Sequence, residues 1–273
     1  MKIAILGAGN MGGAIARGLA ASNIIKAGDI TVTARTQATL DHLTADVPDI
    51  NTTLSNADAC REAAIIMLCI KPWLVQPVLE EIFPVYHALQ QQGRAPLIVS
   101  VAAGITFAEI ARMLGEDEAS APQAAIARVI PNTAISIRQS PTLICFNSEV
   151  SEAQNRLICD IFDQLGQSIV IDEAHMAAGT AVTSCGIAYA LQYIKAAIQG
   201  AIELGFYPGV AKQMIDQTVQ GAVALLETNG TMPDTEIYKV CTPGGITIRG
   251  LNEMSKEGFD NAVIQGLRKA AGK

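Results

Sequence analysis

The chain has 273 residues, a formal net charge of −7, and hydrophobic residues at half of its positions. This acidic balance argues against a nucleic-acid partner, whose phosphates select basic surfaces, and the longest apolar run, residues 63–70, is far shorter than the roughly 20 residues of a membrane span. The six cysteines form no C-x-x-C pair, which indicates reduced thiols in a cytoplasmic protein.

The first predicted elements are strands that alternate with helices as far as residue 171. Their apolar runs are continuous rather than alternating, which is typical of parallel strands covered on both faces. The predicted strands are Ile3–Leu6, Ile30–Ala34, Ala64–Ile70, Leu97–Val101, Ala127–Ile130, Thr142–Cys145 and Ile169–Ile171. This pattern predicts a doubly wound parallel α/β domain over residues 1–171.

A glycine-rich run follows the first predicted strand and opens a helix predicted over residues 11–21. The run reads Gly7-Ala8-Gly9-Asn10-Met11-Gly12. Gly7 permits a tight turn, Gly9 lets the backbone approach a pyrophosphate, and Gly12 allows the helix to pack closely on the strand. A turn without a ligand is the alternative interpretation, but the strand before it and the helix after it favour dinucleotide binding in a Rossmann-type domain.

The end of the second predicted strand bears on the choice of nicotinamide cofactor. An NAD site usually places Asp or Glu there to bind the ribose hydroxyls. Here the strand runs into Ala34, Arg35 and Thr36, and a guanidinium beside a hydroxyl can bind a 2′-phosphate. Arg35 could instead be an ordinary surface arginine. The sequence favours NADPH, with NADH as a second cofactor that the site could use.

Further residues near the carboxyl ends of the strands are candidates to line the same crevice, because doubly wound sheets bind ligands at that edge. The candidates are Asn56, Cys69, Ile70, Lys71, Pro72, Ala102, Ala103, Gly104 and Asn132. The small side chains in this set leave room for a nicotinamide. Each of these turns taken alone is also typical of any junction between a strand and a loop.

From Glu173 onward the apolar residues recur at helical spacing, and no convincing strand remains. The pattern predicts helices over Ala177–Leu204, Val210–Leu226 and Phe259–Leu267. We therefore expect an all-helical domain over residues 172–273. A helical unit this short and this rich in Ala, Ile and Leu could complete its core against a second copy of itself.

One turn within this helical half is a candidate anion site. Pro243-Gly244-Gly245 lacks side-chain bulk, and Thr247 lies in the first turn of a helix predicted to continue to Ser255. The free amides of such a turn point at an approaching anion, and a substrate carboxylate suits them. An ordinary turn beside a helix start is the alternative interpretation.

Taken in order, these motifs resemble those of one family, the pyrroline-5-carboxylate reductases. The likeness runs through GAGNMGG, CIKP, SVAAG and IPNT to Thr242-Pro243-Gly244-Gly245-Ile246-Thr247, and so covers nearly the whole chain. The resemblance implies NADPH-dependent reduction of 1-pyrroline-5-carboxylate to L-proline, the last step of proline biosynthesis, by a homodimer or a ring of dimers. The implied substrate-binding residues are Thr183, Thr242, Gly244, Gly245, Ile246 and Thr247.

An imine substrate suits the scarcity of acid and base groups in the motifs. A cyclic imine is readily protonated, so Thr247, the candidate catalytic residue, need only hydrogen-bond the ring nitrogen while solvent supplies the proton. No metal is expected, because the sequence shows no cluster of metal ligands, and His42, His87 and His175 lie outside every motif. Cys185 would be a nucleophile only if its thiol were acidified.

Departures from the family pattern leave other substrates and other functions open. In the segment Thr180–Tyr189, Ser184, Cys185 and Ile187 stand where the family has glycine, serine and proline, so the preferred imine is not determined. A dehydrogenase of 3-hydroxy acids could use Lys195 on the long helix, although the PGGIT segment would then be unexplained. A regulatory protein could also bind NADPH without turnover.

Overall fold

The computed structural model describes residues 1–115 and 123–273. Contacts divide the chain into two compact units, Met1–Ser184 and Cys185–Lys273. The first unit contains one sheet flanked by helices, whereas the second is built from helices alone. The predicted change from an α/β half to a helical half is therefore confirmed.

The first unit is built on an eight-stranded sheet in the order β3-β2-β1-β4-β5-β6-β7-β8. The strands are β1 (Ile3–Leu6), β2 (Ile30–Thr33), β3 (Asn51–Thr53), β4 (Ile65–Leu68), β5 (Leu97–Ser100), β6 (Ile126–Ile130), β7 (Ser140–Phe146) and β8 (Gly166–Val170). Every pair of neighbours is parallel except β6 and β7. The predicted doubly wound architecture is confirmed, and the sheet is mostly parallel, with the one antiparallel pair between β6 and β7.

The antiparallel pairing of β7 follows from the short connection that precedes it. Residues 131–139 contain a 3-10 turn, Thr133–Ile137, followed by Arg138 in the left-handed conformation. A parallel neighbour needs a crossover of about a dozen residues or more. The chain therefore reverses direction between β6 and β7.

Several strands end earlier than the apolar runs that predicted them. β2 ends at Thr33, β4 covers Ile65–Leu68 and β5 ends at Ser100, so the last apolar residues of these runs belong to loops at the carboxyl edge. The edge strand β3 was not predicted, because Asn51–Thr53 is short and polar and carries no apolar period.

The helices of the first unit cover both faces of this sheet. They are α1 (Asn10–Ala20), α2 (Gln37–Asp46), α3 (Asn56–Cys60), α4 (Val75–Gln91), α5 (Phe107–Met113), α6 (Glu152–Asp163) and α7 (Met176–Thr180). Ile5 of β1 packs in a buried cluster with Ile15 of α1, whereas Leu6 packs in a second cluster with Leu79 of α4. Successive side chains of a strand point to opposite faces, so each face has its own core.

The second unit contains five helices. They are α8 (Gly186–Glu203), α9 (Pro208–Asn229), α10 (Pro233–Val240), α11 (Ile246–Lys256) and α12 (Phe259–Ala270). The single helix predicted over Ala177–Leu204 is in fact α7, a π-helical turn at Ala181–Cys185, and α8. Of residues 185–273, all of which the structure describes, Ala211 alone is buried.

Candidate cofactor and substrate sites

The glycine-rich loop lies at the carboxyl edge of the sheet, where β1 is flanked by β2 and β4. Gly7 has a φ of +108°, a conformation that favours glycine. The amides of Gly7 and Ala8 both donate to the carbonyl oxygen of Thr33, at 3.2 and 2.7 Å. The end of β2 therefore holds this loop in place before any ligand arrives.

The three glycines of this loop differ in what surrounds them. A Cβ on Gly7 would lie 2.7 Å from the carbonyl oxygen of Cys69, and one on Gly12 would lie 1.9 Å from that of Gly7. A Cβ on Gly9 would meet no atom within 4 Å. The chain's own packing thus requires glycine at positions 7 and 12. At Gly9, the N-cap of α1 with no capping side chain, the open space and the free amides suit a phosphate.

A free cation stands at the end of β2. Arg35 and Thr36 are exposed, and the guanidinium of Arg35 has no hydrogen-bond or ion-pair partner within residues 1–115 and 123–273. The hydroxyl of Thr36 lies 2.9 Å from that of Thr39. Ala34 is partly buried beside them. The arrangement that the sequence predicted for a 2′-phosphate is sterically available.

Asn56 joins several of these elements. Its Oδ1 accepts a 2.6 Å hydrogen bond from the hydroxyl of Thr33, and its Nδ2 donates to Glu81 of α4 at 2.7 Å. Thr33 Oγ1 in turn accepts from the amide of Gly7 at 3.3 Å. The side chain of Asn56 is therefore engaged in fixing the glycine loop, the end of β2 and α4 to one another.

The loops after β4 and β5 complete this edge. Ile70 and the backbone of Cys69 pack on Gly7, and burial raises the pKa of the Cys69 thiol to about 12, so that it stays neutral. Lys71 is exposed and Pro72 begins a 3-10 turn. After β5, Ala102 is buried while Ala103 and Gly104 are exposed, which leaves backbone accessible at this position.

Asn132 and Thr183, predicted for the cofactor and the substrate respectively, lie together in the first unit. Nδ2 of Asn132 donates to the carbonyl oxygen of Thr183 at 3.3 Å, and Oδ1 of Asn132 accepts from the amide of Ala134 at 2.9 Å. The hydroxyl of Thr183 donates to the carbonyl oxygen of Gly179 at 3.0 Å. Thr183 lies in the π-helical turn, a feature frequent at functional sites.

The predicted anion site lies at the start of α11. Gly244 has a φ of +68°, and a Cβ on Gly245 would lie 2.3 Å from the hydroxyl of Thr242, so both glycines are required by the turn. Gly245 is the N-cap and carries no capping side chain. Thr242 and Ile246 are exposed and Thr247 is partly buried. The amides of the first turn are thus free to bind an anion.

Arg249 was not predicted as part of this site. Its Nε donates to the carbonyl oxygen of Gly245 at 3.3 Å, so the guanidinium is held beside the start of α11. A cation in the first turn opposes the helix dipole, which favours anions at that end. Its positive charge adds to the attraction for a carboxylate. The signal available in the sequence was the spacing: Arg249 follows Ile246, the first residue of α11, by three residues and so lies in the first turn of the helix.

The ion pair between the buried Arg128 and the partly buried Glu173 was not predicted from the sequence. Arg128 of β6 is 6% exposed, and its guanidinium donates to Oε1 of Glu173 at 2.6 Å. The same oxygen accepts from the amide of Phe107 at 2.8 Å. The available signal was an arginine within an otherwise apolar strand, because a buried charge is retained only when it is paired.

The pinned glycine loop, the free arginine after β2 and the mainly parallel sheet define the first unit as a dinucleotide-binding domain of the doubly wound α/β class. Within the described parts of the chain, no three side chains of His, Cys, Asp or Glu are grouped as metal ligands. Across the same residues, no helix has the length and apolar character needed to span a bilayer.

Two family models match the chain. The model for pyrroline-5-carboxylate reductase dimerisation matches residues 173–273, and that for NADP oxidoreductase, coenzyme F420-dependent, matches residues 2–104. Pyrroline-5-carboxylate reductase 2 of Dictyostelium discoideum is 35% identical over 100% of this chain and 91% of its own length. Pyrroline-5-carboxylate reductase 1 of the same organism is 36% identical, but the chain spans only 48% of that longer protein.

Solved structures agree with these matches. The pyrroline-5-carboxylate reductase of Coxiella burnetii has a TM-score of 0.89 at 26% identity, over 99% of this chain and 96% of that one. The Plasmodium falciparum pyrroline carboxylate reductase, solved with NADP bound, has a TM-score of 0.84 at 26% identity, over 100% and 96%. The chain belongs to the pyrroline-5-carboxylate reductase family. This membership does not favour a dehydrogenase of 3-hydroxy acids that uses Lys195.

Proposed function

We propose that the protein reduces 1-pyrroline-5-carboxylate to L-proline with NADPH, and that NADH is a second carrier. The observation that carries this proposal is the glycine-bounded start of α11, which presents free amides beside Thr247 and Arg249. It occurs in a chain 35% identical, over its full length, to a protein named for this reaction. The cofactor supplies the hydride when it is bound.

In this proposal the first unit holds the cofactor. Gly7, Ala8, Gly9, Asn10, Met11 and Gly12 form the pyrophosphate loop, and the space in front of Gly9 supports that role. Ala34, Arg35 and Thr36 receive the 2′-phosphate, for which the unpaired guanidinium is suited. The loops after β4, β5 and β6, together with Asn56, border the rest of the cofactor.

The start of α11 holds the substrate carboxylate. Thr242, Gly244, Gly245 and Ile246 shape the turn, and Thr247 donates a hydrogen bond that orients the ring nitrogen while solvent supplies the proton. Little acid–base assistance is needed, because the iminium form accepts hydride readily. The main task is to hold the reacting carbons about 3–3.5 Å apart.

We also propose the division of labour along the chain. Residues 1–171 form the dinucleotide-binding domain, and residues 172–273 bind substrate and associate with a second copy. Apolar side chains left exposed on α8 and α9, such as Leu191 and Val223, support a homodimer, which could assemble further into a ring of dimers. The six free cysteines support a cytoplasmic location, and the charge of −7 supports the absence of a nucleic-acid partner.

The test is to follow the oxidation of NADPH by the purified protein with racemic pyrroline-5-carboxylate, and then with a six-membered cyclic imine. We expect oxidation that depends on the five-membered imine and yields proline. Tight binding of NADPH without any imine-dependent oxidation would instead identify a nucleotide-sensing protein. The six-membered substrate tests whether Ser184, Cys185 and Ile187 alter the range of imines.

A further inference from the structure

We propose that Glu173 is a positioning residue, whose carboxylate joins the loop after β5 to the helical segment that carries Thr183. The inference rests on the proposed function, because it concerns the placement of one predicted substrate residue relative to one predicted cofactor loop. All of the residues that carry it lie in the first unit, Met1–Ser184.

One oxygen atom makes the connection. Oε1 of Glu173 accepts from the amide of Phe107 at 2.8 Å and from the guanidinium of Arg128 at 2.6 Å. Phe107 is the first residue of α5, directly after the loop that contains Ala103 and Gly104. Glu173 thereby joins the end of that loop to β6. It lies itself in the 3-10 turn that directly precedes α7.

The burial of Arg128 makes this bond difficult to replace. The Arg128 side chain is 7% exposed, and its Nε has no hydrogen-bond partner among the residues that the structure describes. Its guanidinium also lies over the ring of Phe107, 5.8 Å from the centroid. A buried guanidinium with few other partners depends on its one carboxylate, so Glu173 is held firmly in this position.

A continuous helical segment runs from Glu173 to Thr183, so the position of Glu173 affects that of Thr183. It consists of a 3-10 turn at Glu173–His175, then α7, then the π-helical turn, without an intervening loop. Gly179 lies so close to β7 that a Cβ there would come within 2.5 Å of Leu143. The far end is tied down by the bond from Asn132 to Thr183. The segment is therefore anchored at its start, middle and end.

The expected consequence is an effect on the imine reaction rather than on cofactor affinity. Releasing Glu173 would let the Ala103–Gly104 loop and Thr183 move independently. The glycine loop, which is held by bonds from Gly7 and Ala8 to Thr33, and Arg35 make no contact with Glu173, so the proposed phosphate sites should keep their places. A displacement of about 1 Å can lower a rate by about a hundredfold. We expect Glu173→Gln to lower kcat/KM for the imine about thirtyfold and to leave the Kd of NADPH within about twofold.

The experiment is a double-mutant cycle in kcat/KM between Glu173→Gln and Thr183→Ala, each measured with the full chain. If Glu173 acts by placing Thr183, the loss caused by Thr183→Ala should shrink severalfold in the Glu173→Gln background. Glu152→Gln, which removes an exposed ion pair with Arg156 in the same unit, is the matched control and should change neither constant.

The proposal would be overturned if the losses in kcat/KM of the two single variants multiplied in the double variant, since the two residues would then act independently. It would also be overturned if Glu173→Gln lowered kcat only in proportion to its folded fraction and left KM unchanged. If Glu173→Gln does not fold, the paired variant Glu173→Leu with Arg128→Met removes both charges and leaves none buried alone; it should show the same cycle. A wild-type protein without imine-dependent activity would refute the proposed function instead, and so the two failures are distinguishable.

Discussion

The two units of this chain differ in how completely they cover their apolar residues. In the α/β unit, both faces of the sheet carry a buried cluster, and residues such as Ile5, Leu6 and Phe162 are fully enclosed. In the helical unit, Ala211 is the one buried residue of 185–273, while Leu204 is 81% exposed. The sheet completes a core by itself, whereas the helices leave apolar side chains exposed on the surface where we propose that a second copy binds.

This difference in burial between the two units indicates which properties should depend on association with a second copy. The cofactor loop belongs to the enclosed unit and is held by backbone bonds from Gly7 and Ala8 to Thr33. The predicted anion site belongs to the unit whose apolar residues remain uncovered. Changes at the glycine loop should therefore alter cofactor binding without affecting assembly, and changes on the exposed apolar surface of α8 and α9 should do the reverse.

The largest effect is expected from charge on the exposed apolar surface of the helical unit. The double variant Leu191→Asp with Val223→Asp would place two carboxylates where we propose a dimer interface, raising the dissociation constant of the dimer at least about a thousandfold. Sedimentation of the full chain measures it. Gln90→Asp, an exposed change on α4, should leave the dimer intact, and a dimer that survives the double variant would contradict the proposed surface.

The next largest effect is expected at Thr247. Thr247→Ala should lower kcat about a hundredfold, because it removes the hydrogen bond proposed to orient the imine nitrogen. The Kd of NADPH should remain near the wild-type value, since the proposed cofactor site lies in the other unit. Thr247→Ser, which retains the hydroxyl, should restore most of the rate. Turnover that is equal in Thr247→Ala and wild type would remove this residue from the mechanism.

At Gly9 we expect a substitution to weaken cofactor binding strongly while changing the stability of the fold little. Gly9→Ala fills the open space at the start of α1 and should weaken NADPH about thirtyfold by steric conflict. It should cost at most about 1 kcal/mol of stability, because no protein atom lies within 4 Å of the added Cβ. Titration by NADPH fluorescence and thermal unfolding measure the two. Gly13→Ala, on the same helix, is the control and should leave the affinity for NADPH unchanged.

A smaller effect is expected at Arg35. Arg35→Ala should weaken NADPH about tenfold, the order expected for one charged hydrogen bond, and leave NADH unchanged. Arg156→Ala, which changes an exposed arginine elsewhere in the unit, serves as the control. Competition binding with both cofactors measures the ratio. An equal loss for NADPH and NADH would show that Arg35 does not recognise the 2′-phosphate.

The smallest effect concerns the stability of the helical unit. Lys239, Thr231 and Asn229 all donate to Glu236 and lower its pKa to about 2 from an ordinary value of 4.5. Because the folded pKa is the lower one, the stabilisation is complete above pH 4.5 and is lost as the pH falls toward 2. Glu236→Gln should lower the Tm at neutral pH, and this difference should vanish in acid.

The control for this prediction is Glu253→Gln. Glu253 also pairs with a lysine three residues along its helix, at 2.7 Å, but it has fewer donors. It should therefore change the Tm less than Glu236→Gln does. A difference between Glu236→Gln and wild type that persists undiminished at low pH would show that the carboxylate charge is not the cause.

Much of the first unit could be predicted from local patterns. Continuous apolar runs indicated seven of the eight strands, and the glycine-rich run after β1 indicated the cofactor edge. β3 escaped prediction because pairing with β2, rather than its own composition, makes it a strand. The antiparallel pairing of β7 with β6 was not predicted, because apolar periodicity reports burial and carries no information on strand direction.

The amino-acid sequence by itself determined the order of elements, the glycine positions and the family, because these depend on residue types at short spacing. Only the tertiary structure decided that one oxygen of Glu173 meets both Arg128 and Phe107, and that Asn132 bonds Thr183. Those partners lie dozens of residues apart in the chain. Contacts of that kind arise from the three-dimensional packing of the sheet and its helices, which no local pattern records.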